Sequence, residues 1–289
     1  MNQKNVAALL TCHNRKAKTM ACLESLYRAV VPPAYQIDVY LTDDGSTDET
    51  GKAVKELFPQ VNVIQGDGNL FWAGGMRLAW ETAMNEKQYD AYLLVNDDVR
   101  LNRNFILNLL RAEAHSLAET GKKGIYAGVT VDGTTGQVSY GGSMITQNHL
   151  ILTLQKLATA SYPQSCDLAN ANVLWVSGCV VKKIGIFEKR YTHGIADYDY
   201  SLRAIKNNIP LWLAPDVCGV CDHDHEKNWK TGVSLKERIL WMKSPKGLAY
   251  SEYMFYIRKH FPVYFPYAFI LIWMKILFPF LWDRFKRMT

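Results

Sequence analysis

The feature that most constrains the fold of this chain is an apolar run that ends in a cluster of carbonyl and carboxylate side chains. Residues 91–95 read Ala-Tyr-Leu-Leu-Val, and Asn96, Asp97 and Asp98 follow directly. A continuous apolar run of this length is typical of a strand buried on both faces of a parallel sheet. Because open α/β sheets bind ligands beyond the carboxyl ends of their strands, the three polar residues form a candidate ligand site.

Asp97 and Asp98 have two interpretations. Adjacent carboxylates repel each other, and they stay ionised together only beside solvent, a helix N-terminus or a cation. Mg²⁺ and Mn²⁺ prefer oxygen ligands and are commonly held by one or two carboxylates together with substrate phosphates. The alternative is that the pair caps a helix that begins near Asn104, since Asp is also favoured at turns and caps. On this stretch alone the two interpretations are equally supported.

The composition describes an ordinary globular protein of 289 residues, with 48% hydrophobic and 21% charged residues. The formal net charge of +6 is modest and the basic residues are mostly dispersed, which argues against a nucleic-acid partner. The apolar run at residues 6–10 is too short for a secretion signal, so we expect no export. The cysteines should then be reduced thiols in a cytoplasmic protein: Cys12, Cys22, Cys166, Cys179, Cys218 and Cys221.

The first 120 residues alternate between strand and helix patterns. The predicted strands are residues 6–10, 37–42, 61–65 and 91–95, and residues 104–119 have helical periodicity. This alternation predicts a mostly parallel sheet covered by helices on both faces. Ser46 and Glu49 predict a capping box for the helix after the second strand.

A glycine-rich segment at residues 66–77 opens the next helix. Glycine allows close approach of a ligand, and a helix N-terminus favours anions. The segment matches neither the dinucleotide fingerprint nor the phosphate-binding P-loop. Taken by itself, it is predicted to be a structural turn.

The second half of the chain changes to strands and turns. Residues 128–133 and 137–142 predict a hairpin or an irregular insertion, and residues 173–181 predict a further strand. Asp197 lies in the first turn of the next predicted helix, where it either caps the helix or acts as a general base. If it only caps the helix, the neighbouring Asp199 pairs with Arg203 four residues later.

Cys218 and Cys221 are followed by His223 and His225. The spacing is poor for a structural zinc site. We favour the interpretation that one of the two histidines binds the cation at Asp98.

The C-terminal segment is distinctive, because residues 261–282 are almost wholly apolar and basic residues flank them. The uncharged run is shorter than the roughly 20 residues that span a bilayer. It favours a segment that lies in an anionic membrane surface. The alternatives are a helix that packs on the domain or on the partner of a homodimer, and a true span.

Together the motifs resemble the family 2 glycosyltransferases with the GT-A fold, over roughly residues 5–230. Residues 11–15 resemble the family's first nucleotide loop, residues 43–48 its base- and ribose-binding motif, and residues 69–75 its next nucleotide loop. Asn96 to Asp98 resemble the Asp-x-Asp metal motif, with Asn in the first position. Residues 196–203 resemble the stretch that carries the catalytic base, with Ala196 in place of Glu.

The resemblance implies a role for each matching residue. Asp197 would be the catalytic base, and Asn96, Asp98 and His223 would bind Mn²⁺ or Mg²⁺. The nucleotide would contact Thr11, His13, Asn14, Arg15, Asp43, Asp44, Asn69, Trp72, Gly74, Gly75 and Asp97.

The resemblance also implies a domain organisation. Residues 1–230 would form an α/β GT-A domain, with a nucleotide-sugar half (1–120) and an acceptor half (121–230). Residues 231–289 would form a helical, membrane-associating extension.

The implied reaction is inverting transfer of a hexosyl or deoxyhexosyl group from a UDP- or dTDP-sugar to an acceptor hydroxyl. The acceptor would be a glycan, and the tail suits a lipid-linked one at the inner face of the plasma membrane. This is the chemistry of rhamnosyltransferase-like enzymes that build bacterial cell-surface polysaccharides. The rival interpretations are a nucleotidyltransferase, which would need glycines after the first strand, and a non-catalytic protein that binds nucleotide sugars or membranes.

Overall fold

Parallel strands form the first half of the central sheet in the computed structural model, which describes residues 3–148, 151–222 and 232–280. These strands are β1 (Lys4–Cys12), β2 (Tyr35–Asp43), β3 (Asn62–Gln65) and β4 (Ala91–Val95). Their order across the sheet is β4-β1-β2-β3. Every residue of β4 is buried, as expected for a strand between two layers of helices.

Helices follow these strands and cover both faces of the sheet. They are α1 (Lys16–Tyr27), α2 (Thr50–Leu57), α3 (Phe71–Glu86) and α4 (Phe105–Thr120). One hydrophobic core lies between the sheet and α3, and a second lies between the sheet and α1, α2 and α4. The alternation of strand and helix predicted for the first 120 residues is confirmed.

Further strands extend the sheet beyond β4. They are β5 (Arg100–Leu101), β6 (Ile125–Val131), β7 (Val138–Tyr140), β10 (Gln164–Ser165), β12 (Val173–Ser177) and β13 (Leu211–Val220). Strand β12 is antiparallel to β4, so its first residue lies beside the carboxyl end of β4. Strands β6 and β7 form the predicted hairpin. A second, antiparallel sheet contains β8 (Gly142–Asn148), β9 (Ile151–Lys156) and β11 (Leu168–Ala169).

The predicted capping box of Ser46 and Glu49 is wrong. Glu49 has a left-handed backbone (φ 61°), and α2 begins only at Thr50. Asp48 Oδ1 accepts the Thr50 N–H, and Asp43 Oδ2 accepts the Gly51 N–H. Two aspartates therefore satisfy the backbone donors that the box was expected to satisfy.

The strand predicted over residues 173–181 is wrong in its second half. Strand β12 ends at Ser177, and α5 (Gly178–Ile184) follows. Ser177 pairs with Ala91, the first residue of β4, so the neighbouring strand offers no further partner in that direction. The Gly178 N–H turns instead to the Asp90 carbonyl (2.7 Å).

The remaining helices cover the second half of the sheet and continue into the C-terminal segment. They are α6 (Ala196–Lys206), α7 (Leu235–Lys243), α8 (Tyr250–His260) and α9 (Phe265–Leu277), with a 3-10 turn at Pro262–Tyr264. In the part of the chain that the structure describes, no helix is long and apolar enough to cross a membrane.

A buried carboxylate joins α8 to α6. Asp199 of α6 is fully buried, and it contacts Arg203 (2.9 Å), Lys259 (2.8 Å) and His260 (2.7 Å). Tyr191 donates a further hydrogen bond to it. Burial raises the pKa of Asp199, but His260, Lys259 and Arg203 outweigh burial and lower the pKa to about 2. The predicted Asp199–Arg203 pair is therefore present as part of a larger ionic contact.

We predict that Asp199→Asn lowers the free energy of unfolding by about 3–5 kcal/mol, because it leaves the partly buried cations of Arg203 and Lys259 without their anion. Urea denaturation measures the change. The matched control is Asp216→Asn, which removes an exposed ion pair with Arg111 and should cost less than about 1 kcal/mol. Equal effects of the two substitutions would contradict the prediction.

The effect of Asp199→Asn should also depend on pH. A carboxylate with a lowered pKa stabilises the fold above its ordinary pKa of 3.8, and it loses that stabilisation as the pH falls toward about 2. The difference between wild type and variant should therefore shrink below pH 4.

Candidate functional site

A pocket opens at the carboxyl ends of β1, β2 and β4. Its lining residues come from the end of β1, the loops after β1, β2, β3 and β4, the start of α3 and two later segments: Thr11, Cys12, His13, Arg15, Asp44, Gly68, Phe71, Trp72, Asp97, His193 and Lys246. Six of them were predicted from the sequence to bind a nucleotide: Thr11, His13, Arg15, Asp44, Trp72 and Asp97. The strand ends therefore bring these residues together, as the parallel sheet requires.

Asp44 fixes the floor of the pocket. Its Oδ1 accepts the N–H groups of Gly68 (2.8 Å) and Leu70 (3.3 Å), and its Oδ2 accepts that of Phe71 (3.0 Å). The Asp44 carbonyl lies 2.6 Å from His13 Nδ1. The carboxylate thus ties the glycine-rich loop and the first residue of α3 to the end of β2.

Asp43 and Asn14 organise the neighbouring loop and do not line the pocket. Asp43 is buried and accepts the N–H groups of Ser46 and Gly51. Asn14 Oδ1 accepts the Thr47 N–H (2.7 Å). These two predicted nucleotide ligands therefore shape the loop between β2 and α2 in this structure.

Asn69 is also outside the pocket lining. It is exposed, and its N–H donates to Asp67 Oδ1 (2.9 Å).

Gly74 and Gly75 lie inside α3 and are buried. A side chain at Gly75 would overlap Thr11 Oγ1, and Thr42 Oγ1 donates to the Gly75 carbonyl (2.9 Å). The missing Cβ therefore lets α3 pack directly on β1 and β2. Gly74 and Gly75 therefore lie in the buried part of α3 and do not line the pocket.

Asp97 and Asp98 share the guanidinium group of Arg15. Arg15 Nη1 lies 2.7 Å from Asp98 Oδ2 and 3.5 Å from Asp97 Oδ1, and Thr19 Oγ1 donates to Asp97 Oδ2 (3.1 Å). Burial raises the pKa of Asp97 to about 7; Arg15 opposes this shift and Asp98 adds to it. Near neutral pH Asp97 is therefore not fully ionised, and a divalent cation would relieve the repulsion between the two carboxylates.

The oxygens at this strand end fit a hard divalent cation in part. Asp98 Oδ1 has a weak thiol donor nearby, Cys221 Sγ at 3.6 Å, which leaves capacity for a metal. Asn96 Oδ1, by contrast, accepts the indole N–H of Trp72 (2.7 Å). His223 and His225 lie outside the described residues. Within residues 3–148, 151–222 and 232–280, no group of three or more His, Cys, Asp or Glu side chains could hold a metal ion. Divalent cations of this kind are commonly held by one or two carboxylates together with phosphate oxygens of a ligand.

Asp197 lies in the first turn of α6, directly after Ile195 and Ala196. Its carboxylate accepts the N–H groups of Ala171 (3.2 Å) and Tyr198 (2.9 Å). Burial raises the pKa of Asp197 to about 6, although these hydrogen bonds oppose the shift. A carboxylate with this pKa is ionised at neutral pH and remains basic enough to accept a proton.

A short backbone path connects Asp197 to the end of β4. Ala171 bonds to Asp197, and the carbonyl of the next residue, Asn172, accepts the Asn96 N–H (3.1 Å). Asn172 Nδ2 also lies 3.6 Å from Cys221 Sγ, beside Asp98. The residues before β12 therefore place Asp197 at the same end of the sheet as the strand-end polar cluster, although Asp197 itself does not line the pocket.

Several residues of the pocket were not predicted from the sequence. His193 lies close to Asp197 in the chain, and this closeness was the one sequence signal that could have identified it as a pocket residue. Phe71 and Gly68 belong to the glycine-rich segment that was predicted to be a structural turn. Lys246 gave no sequence signal, because a distant part of the chain brings it to the pocket. Asn172, which lies outside the pocket lining but contacts Cys221 beside Asp98, gave none either.

Part of the chain is similar to a known protein family. Residues 8–145, just under half of the chain, match the family model for glycosyl transferase family 2. A search of curated proteins gives no match. Two solved glycosyltransferase structures have a similar architecture.

The first is the mannosyltransferase PcManGT from Pyrobaculum calidifontis in complex with GDP-Man and Mn²⁺. It has 14% identity and a TM-score of 0.51, and the match covers 83% of this chain and 61% of that one. The second is GalNAc-T7 with UDP, GalNAc and Mn²⁺, with 13% identity, a TM-score of 0.57, and coverage of 80% and 45%. The chain thus spans less than two thirds of the length of either structure.

These likenesses show a mixed α/β fold with a mostly parallel central sheet, like that of the GT-A glycosyltransferases. The predicted fold class is confirmed. The family match supports the predicted enzyme class, a glycosyltransferase.

We predict that Gly75→Ala destabilises the protein by about 1–3 kcal/mol, because the new Cβ overlaps Thr11 and pushes α3 away from β1. Urea denaturation measures the loss, and a Thr11→Ala background should recover part of it. Gly232→Ala is the control, since nothing lies within 4 Å of its added Cβ. If Gly75→Ala behaves like the control, the close packing of α3 on β1 is not important for stability.

Proposed function

We propose that this protein is an inverting, metal-dependent glycosyltransferase that moves a sugar from a nucleoside-diphosphate sugar to an acceptor hydroxyl. The observation that carries the proposal is the position of Asp197. A carboxylate with a pKa of about 6 is joined through Ala171 and Asn172 to Asn96, at the strand ends that form the pocket. General-base catalysis needs a group of this kind beside a donor site.

In the proposed reaction, the acceptor hydroxyl gives its proton to the Asp197 carboxylate. The acceptor oxygen forms a bond to the anomeric carbon on the face opposite the diphosphate. The bond between that carbon and the diphosphate oxygen breaks, and the nucleoside diphosphate leaves. A single displacement of this type inverts the anomeric configuration.

Asp98 is the residue that we propose for the cation, with His223 as a further ligand and donor phosphates completing the shell. Bound Mn²⁺ or Mg²⁺ would neutralise the charge that develops on the leaving diphosphate. The Mn²⁺ in both structural neighbours is consistent with such a cofactor. Asp44, His13 and Trp72 are proposed to surround the nucleotide.

The donor that we propose is a UDP- or dTDP-linked hexose or deoxyhexose, as in rhamnosyltransferase-like enzymes. The neighbours contain GDP-Man in one case and UDP in the other, so GDP-sugars belong in the same test.

We predict that Asp197→Asn nearly abolishes sugar transfer but preserves donor binding, because the amide keeps the shape and loses the basicity. Thermal shift with UDP-, dTDP- and GDP-sugars plus Mn²⁺ identifies the donor and measures binding. Release of nucleoside diphosphate, with and without Mn²⁺, measures turnover. Below pH 6 the wild-type rate should fall roughly tenfold per pH unit, since the base becomes protonated.

Asp90→Asn is the control for this substitution. Asp90 directly precedes β4, at the amino end of the strand and away from the pocket, where it accepts the Asn5 N–H. Full turnover in Asp197→Asn would refute the assignment of the base. Donor binding by the wild type without any transfer or hydrolysis would favour the non-catalytic alternative.

We further propose that the acceptor is a lipid-linked glycan of cell-surface polysaccharide synthesis. The protein would then bind peripherally to the inner face of the plasma membrane. The C-terminal segment supports this proposal, because large apolar side chains are exposed on and beside α9: Val263, Phe269, Ile270, Leu277, Phe278 and Phe280. Lys275 lies among them, and the sequence adds Arg284, Lys286 and Arg287 beyond the described residues. Exposed apolar groups with basic neighbours suit an anionic lipid surface.

We predict that the double substitution Phe269→Ser, Ile270→Ser weakens binding to anionic vesicles roughly tenfold or more, since each side chain would insert apolar surface into the lipid. Co-sedimentation with vesicles of anionic and of zwitterionic lipid measures binding. The matched control is Leu57→Ser, Leu154→Ser, which removes exposed apolar side chains from α2 and β9. Unchanged sedimentation of the α9 variant would count against membrane association.

A further inference from the structure

The turn between α7 and α8 presents a lysine to the pocket. Residues 244–247 read Ser-Pro-Lys-Gly, and the Gly247 N–H donates to the Ser244 carbonyl (2.9 Å). This is a β-turn with Pro245 at its second position, where the fixed φ of proline is favoured. Lys246 occupies the third position and lines the pocket.

The turn has little freedom to move. A side chain at Gly247 would overlap the Trp241 carbonyl oxygen, so the turn packs directly on the last residues of α7. The Ala249 N–H donates to the Ser244 carbonyl (3.1 Å) and closes the start of α8. Lys246 therefore has a fixed backbone position, while its exposed side chain remains adjustable.

The segment that carries Lys246 is anchored to the pocket wall. Glu252 of α8 accepts hydrogen bonds from the N–H and the hydroxyl of Thr192, next to the lining residue His193. The Thr192 carbonyl in turn accepts the Ala73 N–H of α3 (3.0 Å). Asp199 adds a second anchor through Lys259 and His260.

The other charged groups around the pocket are already paired, which leaves Lys246 available for a ligand. Arg15 is already engaged by Asp97 and Asp98, and the Asp44 carboxylate is satisfied by backbone N–H groups. Among the described residues, no carboxylate pairs with the Lys246 ammonium group. A cation in this position suits an anionic ligand group such as a phosphate.

We propose that Lys246 binds the diphosphate of the donor, so that the C-terminal segment completes the donor site. The inference rests on the proposed function, since it takes the pocket ligand to be a nucleoside-diphosphate sugar. The diphosphate of a lipid-linked acceptor has the same chemistry. Apart from His193, the other pocket residues lie between Thr11 and Asp97, in the half of the chain that the resemblance assigns to the nucleotide sugar, which favours the donor.

The test measures binding of UDP, dTDP and GDP, and of the matching nucleosides, by isothermal titration. Lys246→Ala should lower the affinity for the nucleoside diphosphate that the wild type binds by roughly tenfold or more, because a charge-assisted contact is lost. It should leave nucleoside binding unchanged. Lys246→Arg should retain most of the affinity. Lys243→Ala is the matched control, an exposed lysine on α7 that does not line the pocket.

A second variant tests the turn while the lysine is kept. Gly247→Ala should displace the turn and reproduce the selective loss of diphosphate affinity, with circular dichroism showing that the chain remains folded. If it does not fold, the Lys246 variants still decide the question.

Each outcome bears on the proposal. Diphosphate affinity that is unchanged in Lys246→Ala, or that falls equally for nucleoside and diphosphate, would overturn it. An effect confined to the KM of a lipid-linked acceptor would also overturn the donor assignment. If the wild type binds no nucleoside diphosphate, the proposed function itself fails, and this result is distinct from a failure of Lys246 alone.

Discussion

The rest of the structure depends on the burial of β1 and β4 from both sides. Residues 6–10 of β1 and all of β4 have helices or other core residues on each face, so these strands accommodate apolar side chains only. Polar residues therefore follow the strands and do not lie within them. Because the strands are parallel, their carboxyl ends lie side by side at one end of the sheet. The chemistry of the site is concentrated there as a direct consequence of how the core is built.

Within that edge, the carboxylates differ in how fully they are satisfied. Asp43 and Asp44 accept backbone N–H groups on both oxygens, so their hydrogen-bonding capacity serves the loops around the pocket. Asp98 has one oxygen on Arg15 and the other beside a thiol. A carboxylate that retains capacity in a pocket is better suited to a ligand than one that local structure consumes. This difference is the physical reason for separating residues that shape the site from residues that can act in it.

The sequence predicts those parts of the fold that depend on near neighbours. Helix α4, the β6–β7 hairpin and the Asp199–Arg203 pair follow from periodicity and from spacing of four residues. The prediction of a capping box fails because Glu49 has a left-handed backbone conformation, which no local sequence pattern indicated. The end of β12 depends on where β4 begins, a distant segment.

The same distinction applies to the candidate site. The strand-end residues could be placed from sequence, because parallel pairing forces their ends together. His193 and Lys246 reach the pocket, and Asn172 reaches Cys221 beside Asp98, through tertiary packing of loops and of the C-terminal segment, so their positions required the structure. Asn14 and Gly75, which were predicted to be ligands, lie close to the site in sequence. In the structure Asn14 binds the loop after β2, and Gly75 allows α3 to pack on β1.

Helix α6 joins the chemistry of the site to the architecture of the C-terminal segment. Asp197 and Asp199 are two residues apart, which rotates them by about 200° around the helix and directs them to different surroundings. Burial with few partners raises the pKa of Asp197 to about 6, whereas His260, Lys259 and Arg203 bring that of Asp199 to about 2. A pair of like groups whose environments separate their pKa values is what distinguishes a proton acceptor from a permanent anion. Asp199 therefore remains charged and holds α8 against α6, and the proposed base beside it is the carboxylate that can change its protonation state near neutral pH.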